Sequence, residues 1–222
     1  MLQPLKHLSH IAQSLSEGMK EEKLPTVLAD SKDEIGMLSQ VLMDTYGKMQ
    51  EYTEYISVLA YRDSLTGVKN STAYAESVNE INKNIDCDTL KFGVLVADIN
   101  NLKQTNDKFG HDAGNELIIH AAKILIDIFK ESDIFRIGGD EFAVILKNRD
   151  YDEYRTLLEQ MDEVCSKAYI TVYEKRIAIS IARGAALFHA GEDSAYRDVF
   201  TKADQAMYMN KEKIKQGLLK NA

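Results

Sequence analysis

The sequence predicts an α+β domain, in which a central sheet is flanked by helices, preceded by a helical stalk. Three observations lead to this fold class. Short apolar runs suited to strands, such as residues 92–97, alternate with segments of helical period between residues 63 and 215. Two pairs of strand-like runs are joined by short links typical of antiparallel hairpins. Apolar residues between Ile35 and Leu59 repeat in heptads, which is the pattern of a coiled coil.

The N-terminal segment is predicted to contain two helices. Apolar residues in 3-4-3 spacing mark one face of the first helix: Leu5, Leu8, Ala12 and Leu15. Gly18 is suited to end that helix, and residues 19–32 then form an irregular connector that contains Pro25. The second helix is expected to begin at Asp33-Glu34, because acidic side chains stabilise a helix N-terminus.

The second helix carries a seam that is sustained for more than three heptads. The seam positions are Ile35, Leu38, Leu42, Thr45, Met49, Tyr52, Ile56 and Leu59. This strict spacing predicts a dimeric coiled-coil stalk. The alternative is a helical hairpin that packs on its own domain.

The later elements follow from hydrophobic period and turn chemistry. The predicted strands are residues 92–97, 133–137, 141–146, 169–173 and 176–182, and the predicted helices are residues 113–130, 151–167 and 194–215. Gly138-Gly139 links two of the strands, and we expect a tight hairpin there because primed turns require positive φ. Glu174-Lys175 marks a second hairpin. We expect the helices to cover one face of the sheet.

Composition excludes several classes of protein. Lys and Arg number 27 against 35 Asp and Glu, a net charge of −8, whereas a general nucleic-acid or membrane-surface binder carries a basic excess. No apolar run reaches the 18 or so residues that span a bilayer, and the first residues lack a signal-peptide pattern. Cys87 and Cys165 stand far apart without partner motifs, so we expect a reducing cytoplasm and neither a disulfide framework nor a zinc site.

Acidic residues stand at two points where the predicted sheet ends. Asp98 directly follows the buried run 92–97, and Asp140-Glu141 follow Gly138-Gly139. A carboxylate at the end of a buried strand is costly unless it is paired or bound to a cation. Three hard oxygen ligands from two strands would suit Mg²⁺, which keeps water and phosphate as its other ligands. The alternative is an exposed hairpin tip with solvated acids.

The segment from Asp98 to Asn115 combines groups that could recognise a nucleotide. It offers amides and carboxylates for a base edge, a lysine for phosphate and glycines for close backbone approach. An EF-hand is excluded because Leu102 and Lys103 occupy the next ligand and glycine positions, and Phe109 replaces the terminal Glu.

Three motifs together resemble the GGDEF family of diguanylate cyclases. They are Arg136-Ile-Gly-Gly-Asp-Glu-Phe142, Asp63-Ser-Leu-Thr-Gly67 and Ala203-Asp-Gln-Ala-Met-Tyr208, and with the segment from Asp98 to Asn115 the resemblance covers residues from about 58 to 216. The resemblance implies a GGDEF domain over residues 58–222, with the palm-like sheet of nucleotide cyclases and polymerases. It also implies condensation of two GTP molecules into cyclic di-GMP, with two pyrophosphates released. Two domains, each holding one GTP, would face each other across a transient dimer.

The resemblance also implies roles for individual residues. The metal, Mg²⁺ or Mn²⁺, would be held by Asp98, the backbone carbonyl of Ile99, Asp140 and Glu141. Asp140 would accept the proton, with Glu141 in support. The substrate-binding candidates are Asn106 and Asn115 for guanine, Lys103, Lys211 and Lys215 for the phosphates, and Leu102, Asp107 and His111 in the same motif. No nucleic-acid partner is expected.

Residues 1–57 resemble a HAMP signal-relay module. The matching residues are Pro4, Leu5, Leu8, Gly18, Asp33, Glu34, Ile35, Gly36, Leu38 and Met49. HAMP modules form parallel dimers after a transmembrane helix. The resemblance therefore implies a homodimer through the N-terminal helices and a transmembrane and sensor region upstream. The chain as given would be cytoplasmic, and the native protein would lie at the cytoplasmic face of the membrane.

Four departures from the family pattern bear on function. Asn115 stands where Asp is common, and its amide offers guanine one acceptor oxygen where a carboxylate offers two. Asn100 and Leu102 replace acidic and aromatic residues, and Lys215 replaces an arginine, which loses bidentate phosphate geometry. Phe129 and Ser132 replace the Arg and Asp of the usual inhibitory motif, so we expect no tight product inhibition there.

Three functions remain open from the sequence. The first is a dimeric diguanylate cyclase regulated through the stalk, favoured by the intact set Asp98, Asp140 and Glu141. The second is a non-catalytic GTP-binding or relay module, in which Asn115 marks decay of the substrate site. The third is a cyclase with relaxed base selectivity.

Overall fold

The computed structural model describes residues 34–85 and 90–217. The chain divides into two compact units after Val58. Among the described residues, no helix combines the length and the apolar character needed to cross a bilayer. The predicted first helix, its connector and half of the HAMP-like positions lie outside the described residues, as does Cys87.

The described part of the first unit is a helix. Helix α1 extends over Glu34–Tyr61 and begins where the sequence predicts. Most of the predicted seam is open to solvent: Leu38, Met49, Tyr52, Ile56 and Leu59 are 53–67% exposed. Gly36 and Ser39, on another face, are buried. The dimeric stalk stays a prediction that this exposed apolar seam favours.

A four-stranded antiparallel sheet forms the centre of the second unit. The strands of this sheet are β1 (Gly93–Ile99), β2 (Asp133–Arg136), β3 (Glu141–Leu146) and β6 (Ile181–Leu187). Their order is β2-β3-β1-β6, so β1 is a central strand. A separate hairpin pairs β4 (Tyr169–Val172) with β5 (Lys175–Ala178).

Six described helices complete the second unit. They are α2 (Ser71–Lys83), α3 (Leu102–Phe109), α4 (His111–Ile128), α5 (Asn148–Asp152), α6 (Tyr154–Lys167) and α7 (Tyr196–Lys215). Asn70 caps α2, since its side chain accepts hydrogen bonds from the backbone N–H groups of Thr72 and Ala73.

Helices cover both faces of the sheet, which corrects the expectation of one covered face. All seven residues of β1 are buried. Leu95, Ala97 and Ile99 lie in one core with residues of α4 and α6. Val94 and Val96 lie in a second core with residues of α2 and α7. Alternate side chains of a strand point to opposite faces, so a strand that is apolar throughout needs cover on both.

Several predicted elements differ in their bounds. The predicted helix 151–167 is two helices, α5 and α6, which meet at Glu153. The apolar run 176–182 is divided between β5 and β6. The fold class itself is confirmed, and β1, β3, α4 and α7 lie close to their predicted positions.

Gly138-Gly139 lies in the link between two antiparallel strands, as predicted, but positive φ does not explain why glycines stand there. The connection between β2 and β3 spans residues 137–140, and neither glycine is among the described residues with positive φ. A Cβ at Gly138 would lie 2.7 Å from the Glu141 side-chain oxygen Oε2. The backbone N–H groups of Ile137 and Gly138 both donate to the Glu141 carbonyl. Close approach to Glu141 therefore explains Gly138 better than turn handedness does.

Candidate functional site

The strand register brings two of the predicted carboxylates together. Asp98 at the end of β1 pairs directly with Glu141 at the start of β3, and directly opposed residues share a face of the sheet. The backbone N–H of Ile99 donates to the carbonyl of Asp140 at 3.0 Å, which fixes the neighbouring turn. The side chain of Asp98 is only 8% exposed. These contacts place Asp98, Asp140 and Glu141 at one end of the sheet.

The charges around Glu141 show how acidic this end is. Burial raises the pKa of Glu141, and the nearby charges of Asp140, Asp98 and Asp204 raise it further, while Lys211 acts in the opposite direction. Several carboxylates that share a small volume favour a bound cation or a proton. Asp204, on α7, belongs to a motif quoted from the sequence but was not predicted as a site residue.

The donor set fits a hard divalent cation. Carboxylate and carbonyl oxygens from two adjacent strands are the ligands that Mg²⁺ and Mn²⁺ prefer. Among the described residues, no group of three or more His, Cys, Asp or Glu side chains is arranged to hold a metal ion. The Asp98 carboxylate is held instead by a lysine.

Lys211 of α7 is that lysine. Its Nζ lies 2.6 Å from Oδ1 of Asp98, and its side chain is 27% exposed. Lys215, one turn later, instead contacts Glu212 at 2.9 Å. The two lysines assigned to phosphate therefore differ: Lys211 reaches the carboxylate site directly, and Lys215 pairs within its own helix.

Gly184 of β6 allows α7 to lie directly on the sheet. A Cβ there would overlap the backbone of Ala203, Ala206 and Met207. Gly184 pairs with Val96 in β1, two residues before Asp98. Because α7 packs against β6 at this point, Lys211, one turn after Met207, is placed beside Asp98.

Arg136 holds the turn that carries Asp140. Its Nη1 lies 3.2 Å from both oxygens of Asp63, and its Nη2 donates to the Gly139 carbonyl at 2.8 Å. Thr66 donates to the same carboxylate from its backbone N–H and its hydroxyl. Burial alone would raise the pKa of Asp63, but the hydrogen bonds from Thr66 and Arg136 and the Arg136 charge outweigh it and lower that pKa. Asp63 and Arg136 thus position the turn. Both stand in motifs of the sequence, but neither was predicted as a site residue.

Asn106 lies in a cradle between α3 and α4. Its side-chain Oδ1 is buried without a hydrogen-bond partner. A Cβ at Gly114 would overlap that oxygen, and Leu102 Cδ1 would lie 3.2 Å from the same point. A buried acceptor without a partner is costly. Because this oxygen lies against Gly114 and is closed off from solvent, the contact of Asn106 with a base stays a prediction.

The remaining candidates lie at the surface around this cradle. Lys103 and Asp107 are exposed on α3, and His111 and Asn115 are exposed on α4. Asn115 borders an open hollow of about 520 Å³, lined by Asp112, Ala113, Asn115, Glu116, Thr171, Val172 and Tyr173. Asn115 directly follows Gly114, the residue that lies against the Asn106 side chain in the cradle.

The positions of the absent inhibitory motif have structural partners. Phe129 is 1% exposed and belongs to the core. The Ser132 hydroxyl donates to Oδ2 of Asp150 at 2.8 Å, and the backbone N–H of Glu131 donates to the same oxygen. These side chains stabilise the start of β2.

Comparison with known proteins identifies the family. The profile described as "Diguanylate cyclase, GGDEF domain" matches residues 60–216. The bifunctional diguanylate cyclase/cyclic di-GMP phosphodiesterase MucR of Pseudomonas aeruginosa is 32% identical over 161 residues, which are 72% of this chain and 23% of MucR. Diguanylate cyclase DgcP of the same organism is 28% identical over 92% of this chain and 30% of DgcP. The chain thus spans less than a third of these relatives.

A solved structure shares the fold. The coiled coil and GGDEF domain of DgcB from Caulobacter crescentus, in complex with c-di-GMP, superposes with a TM-score of 0.67 at 24% identity, covering 79% of this chain and 94% of that one. The profile match over residues 60–216 shows that the chain belongs to the GGDEF family.

Proposed function

We propose that this chain is a diguanylate cyclase that condenses two GTP molecules into cyclic di-GMP and releases two pyrophosphates. The observation that carries the proposal is the cross-strand pair of Asp98 and Glu141, with Asp140 held beside it. Family membership supports the same activity. A non-catalytic relay module would have no need of this acidic set.

In the proposed reaction, two domains each hold one GTP and face each other. The 3′-hydroxyl of each nucleotide attacks the α-phosphorus of the other. A new P–O bond forms as the bond to the pyrophosphate breaks, and the hydroxyl proton passes to Asp140. A divalent cation, when bound, would neutralise developing phosphate charge and lower the pKa of the attacking hydroxyl.

Residues of the chain would position both ends of the nucleotide. Asp98, the Ile99 carbonyl, Asp140 and Glu141 would hold the cation, Mg²⁺ or Mn²⁺. Asn106 would contact the guanine base through its side-chain amide. The phosphate contacts would come from Lys103, Lys211 and Lys215, while Leu102, Asp107 and His111 would shape the same loop.

Regulation is proposed to act through dimer geometry. The exposed seam of α1 would pair with that of a second copy, and residues 1–57 would relay a signal as a HAMP-like module to a cyclase domain over residues 58–222. Since neither domain can complete the reaction alone, the stalk would set the effective concentration of one active site at the other.

Product analysis tests the activity. The purified chain is incubated with Mg²⁺ and GTP, ATP or both, at several protein concentrations, and the products are identified by mass spectrometry. Cyclic di-GMP from the wild type, and none from Asp140→Asn, is the expected result. GTP binding without product at any concentration would contradict the cyclase and favour the relay module.

A second candidate is a cyclase that also accepts adenine. Asn115 favours it, because its NH₂ group can donate to an adenine acceptor whereas a carboxylate cannot. A mixed dinucleotide formed from GTP and ATP together would distinguish this candidate from a strict diguanylate cyclase.

Product inhibition through the usual motif is expected to be absent. Phe129 is in the core and Ser132 is bonded to Asp150, so neither offers the charged groups that would bind a phosphate or a guanine edge. Asp140→Asn and Asn106→Ala are two changes in the substrate site. In protein that carries them, calorimetry should show no tight binding of cyclic di-GMP. Tight binding that Ser132→Ala abolishes would contradict this expectation.

A further inference from the structure

The carboxylate of Asp98 is paired with a basic side chain of the protein. Lys211 Nζ lies 2.6 Å from Oδ1 of Asp98, and the carboxylate is 8% exposed. Such a charge-assisted hydrogen bond is among the stronger polar contacts in a protein. Lys211 thus compensates the charge of Asp98 at the acidic end of the sheet.

A lysine and a divalent cation compete for Oδ1 of this carboxylate. A cation bound to that oxygen would lie close to the ammonium, and their like charges would repel at low local dielectric. Asp98 is fixed in a central strand, whereas a lysine stem is flexible and its ammonium can move. Lys211 is therefore the group that leaves when a cation takes Oδ1.

We propose that Lys211 acts as an internal counterion, which keeps free divalent cations off Asp98 until a nucleotide supplies a new anionic partner for the lysine. The triphosphate would accept the ammonium as Asp98 passes to the cation. Cation and nucleotide would then bind together, and either alone would bind weakly. This inference rests on the proposed function for the identity of the nucleotide, but its first test needs no turnover.

The packing of α7 supports a side-chain exchange over a movement of the helix. The α7 backbone lies against Gly184, and Val199, Ala203 and Met207 are buried in the core. The helix is thus held in place, and an exchange of partners would involve the Lys211 side chain turning from the carboxylate.

The test measures binding of Mn²⁺ alone, without nucleotide, by the loss of the free-ion EPR signal. Lys211→Met should bind Mn²⁺ at least about tenfold more tightly than the wild type, equivalent to ~1.4 kcal/mol. Lys211→Arg keeps a cation on the carboxylate and should resemble the wild type. Lys213→Met removes the same charge from an exposed position of the same helix and should also resemble it. In the double variant Asp98→Asn/Lys211→Met the gain should disappear.

A second measurement separates the exchange from a simple loss of repulsion. With a non-hydrolysable GTP analogue and Mg²⁺, Lys211→Met should bind the nucleotide more weakly, opposite in sign to its gain for Mn²⁺ alone. Unchanged or weaker Mn²⁺ binding in a folded Lys211→Met protein would overturn the inference, as would an equal gain in Lys213→Met. Either of these results would overturn the counterion proposal but would not bear on product formation by the wild type, which tests the proposed function. If the wild type forms no product while Lys211→Met shows the expected gain in Mn²⁺ binding, the proposed function is rejected and the counterion proposal stands.

Discussion

At the scale of single residues, we expect Asn115 to affect which base the proposed site accepts. Guanine presents two adjacent donors on its Watson–Crick edge, and a carboxylate can accept from both, whereas the amide of Asn115 accepts with one oxygen and donates with its nitrogen. The side chain is exposed on α4, so substitution there leaves the core unchanged. We therefore expect substitution of Asn115 to affect base selectivity more than stability.

Asn115→Asp should increase the preference for GTP over ATP. Discrimination by a bidentate contact to a base is worth about 1–3 kcal/mol, so the ratio of the two kcat/KM values should rise about fivefold or more. Gln104→Glu makes the same amide-to-acid change at an exposed position of α3 and should leave the ratio unchanged. A similar rise in both variants would mean that added negative charge, and not base contact, sets the preference.

Asp63 should make folding stability depend on pH. Its pKa is lowered in the folded protein, so its contribution is present above the unfolded value of about 3.9 and is lost as the pH falls through the lower folded value. Asp63→Asn should reduce the free energy of unfolding at pH 7 by about 1–3 kcal/mol. The difference in this free energy between the wild type and the variant should narrow below about pH 4. Urea unfolding at both pH values measures this.

The control is Asp127→Asn, at an exposed position of α4. Its unfolding midpoint should stay close to that of the wild type at both pH values. A difference between Asp63→Asn and the wild type that persists unchanged at low pH would show that the lost carboxylate charge is not the cause.

The carboxylates of the site were predictable, and their basic partner was not. Asp98, Asp140 and Glu141 follow from an apolar strand that ends in an acid and from a turn that leads into two more. Which cation compensates them depends on a helix more than 100 residues later, and no local pattern marks Lys211 as the neighbour of Asp98.

At the scale of elements, the contact between β6 and α7 determines the geometry of the site. The sequence of β6 explains why most of this strand was not predicted. Its central residues, Ala182-Arg-Gly-Ala-Ala186, have low strand propensity. The same small residues are what the tertiary structure requires, since the α7 backbone lies against Gly184. Local propensity and packing thus favour different structures here, and packing decides.

Gly184→Ala should displace α7 and disturb the pairing of Lys211 with Asp98. The added methyl group would overlap helix backbone, which cannot turn aside as a side chain can. Overpacking of this kind costs about 1–3 kcal/mol, measurable by urea unfolding, and product formation should fall as well. Gly47→Ala adds a methyl group with nothing within 4 Å and should not destabilise the protein, because Ala favours a helix interior. Unaltered stability in Gly184→Ala would contradict the close packing.

At the scale of the whole molecule, two structural units correspond to two proposed tasks. The heptad pattern predicted helix α1 and its first residues, since periodicity is a local property of the sequence. Pairing with a second chain is not local, and the described single chain shows only that the seam is exposed. The predicted domain boundary at residues 57 and 58 remains a prediction of the same kind.

Placing a charge in the seam should lower product formation much more than nucleotide binding. Ile56 is a seam position that is 63% exposed, so Ile56→Glu would introduce like charges between two paired helices without disturbing a core. Each domain would still hold its nucleotide, but the two would meet only by diffusion. Because a tether supplies effective concentrations of up to millimolar, product formation per chain at micromolar protein should drop at least about tenfold.

The seam position Leu42 should respond in the same direction. Val58→Glu alters another exposed apolar residue outside the seam and should retain wild-type output. Sedimentation equilibrium, product formation and binding of a GTP analogue, compared across these variants, decide the matter, and an equal loss of binding and product in Ile56→Glu would show that the seam supports folding and not encounter.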